Sequence, residues 1–248
     1  MHDLPVALVT GATRGIGEQI AKDLAARGFT VLVGARDLTA GERTATDIPG
    51  ARAIALDVTR ASSIAAAAST IREELGRLDV LVNNAGIASG HGVATVDAIK
   101  TGGAPSTAPL DEVRAVFETN VFGVIAVTQA MLPLLRAAPA GRIVNVSSGA
   151  GSLARITAPA YAAYWVGGIA YGPSKTALNA VTVAFALELA GTRVKVNSVC
   201  PGYTATDFNG RTGPRSVAEA AREPVRLAML GDDGPTGTFS NDAGPLPW

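Results

Sequence analysis

The 248-residue chain is 48% hydrophobic and 17% charged, and its 21 basic and 21 acidic residues cancel to a formal net charge of zero. That composition suits a chain with one sizeable core, and the balanced, scattered charges lack the electrostatic footprint of a nucleic-acid partner. One cysteine, Cys200, excludes an internal disulfide, and two histidines, His2 and His91, offer no zinc set, so no metal is expected.

A first strand is predicted at Val6–Thr10, so close to Met1 that no leader fits before it, and a cytoplasmic protein is expected. Gly11, Gly15 and Gly17 follow at once, and an amphipathic helix runs on from Glu18. Strand, glycine turn and helix make a dinucleotide site: glycines let the backbone approach a pyrophosphate, and the helix aims free N–H groups and its positive dipole end at the anion. The spacing differs from the commoner G-x-G-x-x-G, so the motif by itself also fits an ordinary strand-to-helix turn.

Further strands are predicted at 30–35, 52–57, 78–83, 141–147, 193–199 and 236–240, with helices between them. Runs such as Val80–Val82 and Arg142–Val146 suit parallel strands covered on both faces. The expected architecture is therefore α/β: a Rossmann-type, doubly wound, seven-stranded parallel sheet flanked by helices, forming a single domain over residues 1–248. Ligands of such sheets lie beyond the carboxyl ends of the strands.

The second strand ends at Ala35, where an acidic side chain would bind an adenosine ribose diol. Arg36 follows, and Arg14 sits inside the glycine turn, so two guanidinium groups are placed to converge on a 2′-phosphate. NADP(H) is preferred on this reading. NAD(H) stays open, because Asp37 could turn toward the ribose or neutralise Arg36. Downstream, Tyr171 and Lys175 are four apart on one face of a helix that Pro173 tolerates only in its first turn. Taken alone, that pair also reads as a half-buried tyrosine and a solvated lysine.

With Asn83–Gly86, Asn120 and Ser148 added in this order, the chain resembles the short-chain dehydrogenase/reductase family over essentially its full length, and most closely the carbonyl-reductase branch. The resemblance implies a catalytic set of Asn120, Ser148, Tyr171 and Lys175. Tyr171 would protonate a carbonyl oxygen as hydride arrives, Ser148 would bond that oxygen, Lys175 would hold the nicotinamide ribose, and Asn120 would seat a water linking lysine to solvent. A free phenol titrates near 10, so exchange at neutral pH calls for about 4 kcal/mol in favour of phenolate. The same resemblance implies cofactor contacts from Gly11, Thr13, Arg14, Gly15, Ile16, Gly17, Arg36, Asp57, Val58, Asn84, Ala85, Gly86, Tyr171, Lys175, Pro201, Gly202, Thr204 and Thr206. Ser147 competes with Ser148, although the family pattern favours the second serine. Tyr161 and Tyr164 compete with Tyr171, but neither has a lysine four residues on.

Substrate loops are expected at 87–109, 149–170 and 203–215, the last as a lid that orders on binding. Tyr161, Tyr164, Trp165 and Tyr203 are the expected pocket wall, favouring a bulky lipophilic ketone or aldehyde. The uncharged stretch before Tyr171 is too short and too rich in glycine and proline to span a membrane. The uncharged run Val121–Leu135 reads equally as a dimer or tetramer interface or as interior packing, and a monomer stays open. An imine or activated double bond as acceptor, a non-catalytic NADP sensor and a methyl transferase are the alternatives; the sensor would not need Ser148, Tyr171 and Lys175 together.

Overall fold

A computed structural model describes residues 4–89, 104–159 and 168–248. Its strands are β1 Val6–Thr10, β2 Thr30–Ala35, β3 Ala51–Ala55, β4 Val80–Asn83, β5 Arg142–Val146, β6 Lys195–Val199, β7 Phe239–Asn241 and β8 Gly244–Pro245. They form one sheet in the order β3-β2-β1-β4-β5-β6-β7-β8, and all but the last pair are parallel. The eighth strand corrects the expected count of seven. Asn241 accepts a hydrogen bond from the Ala243 amide at 3.0 Å, turning the chain so that Gly244–Pro245 returns antiparallel to β7. Two residues, one of them proline, carry no period for a sequence to show.

The helices are α1 Gly15–Ala25, α2 Leu38–Thr46, α3 Ala61–Glu74, α4 Leu110–Phe117, α5 Gly123–Ala137, α6 Leu153–Ile156, α7 Tyr171–Glu188 and α8 Val217–Ala228. Apolar residues on both faces of the sheet bury two core layers. Leu8, Leu32, Leu81 and Ile143 face α3, α5 and α7, while Val9, Val33, Val82 and Val144 face α1 and α8. Period-two alternation within each strand sends successive side chains to the two layers. The helical run Leu110–Ala137 is long and apolar enough to cross a membrane, but Val127, Met131, Leu134 and Leu135 are buried in the first layer. That face of the uncharged run is interior packing.

Because β1 lies between β2 and β4, the strand order reverses beside it, and the ends of β1 and β4 form the switch point at which sheets of this kind hold their ligand crevice. A buried polar chain stiffens the sheet beneath this end. Asn83 donates to Thr128 at 3.2 Å and to the Asn145 carbonyl oxygen at 2.9 Å; Asn145 donates to Thr182 at 2.8 Å; Thr182 and Ser198 are 2.8 Å apart. A fully satisfied network of this kind fixes one arrangement of strands and helices.

Candidate active site

Beyond β1 the glycine turn is shaped by its lack of side chains. Gly11 and Gly15 take φ values of +62° and +61°, which L side chains adopt at a cost. A Cβ on Gly17 would stand 2.3 Å from Asn84 Nδ2 and 2.7 Å from the Gly11 carbonyl. Asn84 explains the crowding: its Nδ2 donates to the carbonyls of Thr10 and Gly11, at 2.9 and 3.1 Å, and so ties the end of β4 to the turn. Thr10 Oγ1 answers by accepting from the amides of Asn84 and Ala85, each at 3.0 Å. Thr13 contributes its carbonyl to Thr44 Oγ1 at 3.2 Å, and Ile16 packs on the second core layer.

Asp37 is committed elsewhere than the sequence leaves open. It caps α2, its carboxylate accepting from the Ala40 amide at 3.2 Å. Arg14 and Arg36 are both exposed. Burial pushes the Asp57 carboxyl up, but the Thr59 hydroxyl and amide outweigh it, aided by the guanidinium charges of Arg36 and Arg60, and hold it below the usual carboxylate range. Val58, next along, is buried against Gly123 at the start of α5.

Across the crevice, Ser148 caps a short 3₁₀ turn at Gly149–Gly151, its Oγ accepting from the Ala150 amide at 3.2 Å. The Ser148 hydroxyl also favours the ionised form of the Tyr171 phenol. Ser147 faces away: it is buried and its Oγ donates to the Lys175 carbonyl at 3.4 Å. Tyr171 is the first residue of α7, and Pro173 falls in the first turn as its fixed φ requires. Lys175, one turn on, is 5% exposed. Its Nζ donates to the Val146 carbonyl at 2.8 Å and lies 5.8 Å from the Tyr171 ring centroid. Burial pushes the Lys175 ammonium down to about 8 and the Tyr171 phenol up to about 12; the Ser148 hydroxyl pulls the phenol the other way. Desolvation outweighs the preference for phenolate that Ser148 supplies.

Asn120 sits in a π turn, Glu118–Phe122, inserted between α4 and α5. The Gly123 amide there reaches back five residues to the Glu118 carbonyl, and such wide turns recur at functional sites. The Asn120 side chain is fully engaged, accepting from the Ile87 amide at 2.9 Å and donating to the Ile87 carbonyl at 2.8 Å and to Ser174 Oγ at 3.0 Å. It fixes the strand-end loop carrying Gly86. A Cβ on Gly86 would meet Asn120 Oδ1 at 3.2 Å and Lys175 Nζ at 3.5 Å, so the missing side chain keeps a cradle open beside the ammonium.

The segment after β6 reaches the glycine turn. Gly202 has φ +79° and would place a Cβ 2.6 Å from Arg215 Cδ. Thr204 is buried, its Oγ1 donating to the carbonyls of Pro201 and Gly202 at 3.4 and 3.2 Å, and it bridges to Arg215. Thr206 caps a 3₁₀ turn, Asp207–Asn209, and its Cγ2 would be the nearest neighbour, at 3.4 Å, of a Cβ on Gly15. The segment after β6 and the glycine turn therefore lie against each other at Thr206 and Gly15. Tyr203 is exposed and bonds Thr212 through its hydroxyl.

The site brings together Asn84, Gly86, Asn120, Ser148, Tyr171, Lys175 and Thr206, all legible in the sequence. Tyr161, Tyr164 and Trp165 lie outside the described residues, as do 90–103 of the first loop. Sequence reasoning missed Phe208, whose ring lies 5.6 Å from that of Tyr171 at a 56° tilt. Cys200 is buried, and its sulfur accepts from the Gly149 amide at 3.1 Å, beside Ser148, a contact the sequence does not show. No cluster able to hold a metal occurs among the described residues. A side-chain-free turn at one end and a buried ammonium beside Gly86 at the other are the features a dinucleotide calls for.

The sequence profile described as short chain dehydrogenase matches residues 5–216. A short-chain dehydrogenase of Penicillium roqueforti is 37% identical over 238 residues, covering 92% of this chain and 89% of the relative. The (−)-isopiperitenone reductase of Mentha piperita is 33% identical, covering 94% of this chain and 95% of the relative. Among solved structures, the NADPH-bound carbonyl reductase from chicken fatty liver superposes with a TM-score of 0.82 at 26% identity, covering 99% of both chains.

Proposed function

This chain belongs to the short-chain dehydrogenase family, and from that membership we propose that it is an NADPH-dependent carbonyl reductase, with Tyr171 as general acid and base. The coarser chemistry, an oxidoreductase acting on C=O and CH–OH groups with a nicotinamide cofactor, is that of its relatives. The observation that carries the finer reading is the Lys175 ammonium 5.8 Å from the Tyr171 ring centroid with Gly86 beside it, and the Ser148 hydroxyl placed to favour the phenolate.

When bound, the reduced nicotinamide supplies the hydride that adds to the carbonyl carbon. Ser148 and Tyr171 hold the carbonyl oxygen between two hydroxyls. Tyr171 gives its proton to that oxygen as the π pair moves onto it, and the alcohol forms. A phenol pushed up to about 12 is fully protonated at neutral pH, which suits the donor of a reduction. The phenolate left behind is stabilised by the Lys175 charge and the Ser148 hydroxyl, and takes back a proton from the Lys175 side. Gly11–Gly17 and Thr206 would hold the pyrophosphate between them, and Lys175 with Asn120 would border the nicotinamide ribose.

NADP over NAD is supported by the commitment of Asp37 to the α2 cap, which leaves Ala35 and the exposed Arg36 and Arg14 to meet the adenosine ribose. A lipophilic acceptor is supported by the similarity to (−)-isopiperitenone reductase and by Phe208 against Tyr171, with the ketone preferred over an activated double bond on the carbonyl-reductase likeness. The reading is tested by following NADPH and NADH oxidation with aryl ketones, cyclic ketones, aldehydes, keto esters and cyclic imines. Turnover with ketones and NADPH supports it; turnover confined to imines, or to NADH, overturns it.

A further inference from the structure

We propose that the segment Gly244–Trp248 is a strap that positions the catalytic serine, acting through Ser152; the inference rests on the assignment of Ser148 above. Ser148 belongs to a hydrogen-bonded unit. Its Oγ accepts from the Ala150 amide, its carbonyl accepts from the Gly151 amide at 2.9 Å, and the Gly149 carbonyl accepts from the Ser152 amide at 3.2 Å. Ser152 is wholly buried and is the joint between this turn and α6, which it caps by accepting from the Arg155 amide at 3.2 Å. Where Ser152 sits therefore fixes where the turn begins to rise toward Ser148.

Two main-chain oxygens at the far end of the sequence hold that joint. Ser152 Oγ donates to the Pro247 carbonyl at 2.7 Å, and the Ala154 amide donates to the Trp248 carbonyl at 3.0 Å. The strap is itself anchored on the sheet. The Leu246 amide donates to the Phe239 carbonyl at 2.8 Å, and the Trp248 ring stacks on the buried Phe239 ring at 5.6 Å and 18°. On the opposite side the turn lies flat on α7. A Cβ on Gly151 would come within 2.7 Å of the Lys175 carbonyl carbon, and Asn179 Nδ2 donates to the Gly151 carbonyl at 3.2 Å. The turn is thus clamped between the helix that carries Tyr171 and Lys175 and the strap from β7 and β8. Such a clamp sets the Ser148-to-Tyr171 distance, and displacement of a reacting group by about 1 Å costs on the order of 100-fold in rate.

Trp248→Ala and Ser152→Ala test this by two readouts. Hydrogen exchange at the amides of Ala150, Gly151 and Ser152 should quicken about tenfold while α7 amides stay protected. The single-turnover reduction rate should fall about tenfold with NADPH affinity within twofold of wild type. Unchanged exchange at these three amides, or a fall in NADPH affinity matching the fall in rate, overturns the strap. Should Ser152→Ala not fold, Trp248→Ala decides, because that side chain is 40% exposed and keeps its carbonyl. A wild-type protein that reduces no carbonyl defeats the functional reading, and the exchange measurement then decides the strap alone.

Discussion

Lys175 donates its ammonium to the carbonyl of Val146, the last residue of β5, at 2.8 Å, two residues before Ser148. One main-chain oxygen thus holds a buried charge that burial has pushed down to about 8. Between about 8 and the ordinary value of 10.5 the unfolded chain binds a proton that the folded chain has lost, so stability rises with pH across this window. Below it the buried charge costs ~3 kcal/mol. The stability difference between wild type and Lys175→Met, by urea unfolding without cofactor, should shrink by about 2 kcal/mol from pH 7 to pH 9.5. A difference independent of pH would show that the ammonium is not desolvated. Tyr171 opposes this only above pH 10, where the unfolded phenol ionises and the folded one does not.

Asn120 satisfies both the amide and the carbonyl of Ile87 as well as the Ser174 hydroxyl. Asn120→Ala strands the part-buried Ile87 groups and the buried Ser174 hydroxyl, at a cost of about 2 kcal/mol. Denaturant unfolding should show a lower midpoint at an unchanged slope.

Gly86 and Gly17 separate cofactor space from folding. A Cβ on Gly86 would meet only side-chain ends, Lys175 Nζ at 3.5 Å and Asn120 Oδ1 at a tight 3.2 Å that a small shift relieves, whereas one on Gly17 collides with Asn84 and the Gly11 carbonyl. Gly86→Ala should keep stability within about 1 kcal/mol and weaken NADPH binding at least tenfold on the order expected for a filled cradle. Gly17→Ala should lose about 2 kcal/mol of stability as well. Paired calorimetric titration and thermal unfolding of the two variants distinguishes the effects.

Arg36→Ala should raise the KM for NADPH about tenfold and leave that for NADH within about twofold, since one charge-assisted contact to a phosphate is worth 1.5–3 kcal/mol. Equal changes for both cofactors would place Arg36 away from the 2′-phosphate.

The main elements were legible because each carries its own period or punctuation. The predicted strand at 30–35 is β2 to the residue, and Pro173 fixed the start of α7 at Tyr171. The glycine turn showed through its spacing, and Ser148 through its place after β5. What the sequence did not show depends on pairs far apart in the chain. The Asn83–Asn145–Thr182 chain joins two strands to a helix through polar residues that look like interruptions of apolar runs. Phe208 reaches Tyr171 only because Thr206 and Asn209 curl the lid into a 3₁₀ turn. Cys200 looks like a core residue until the turn after Ser148 brings the Gly149 amide to its sulfur.

The most direct measurement compares NADPH oxidation at saturating ketone for wild type and Tyr171→Phe, each normalised to the fraction of molecules that bind NADPH. The variant lacks the proton donor but keeps the ring against Phe208 and the glycine turn. A fall of at least about 100-fold with cofactor affinity retained is predicted. Turnover within a few-fold of wild type would contradict Tyr171 as the acid, and with it this account of the site.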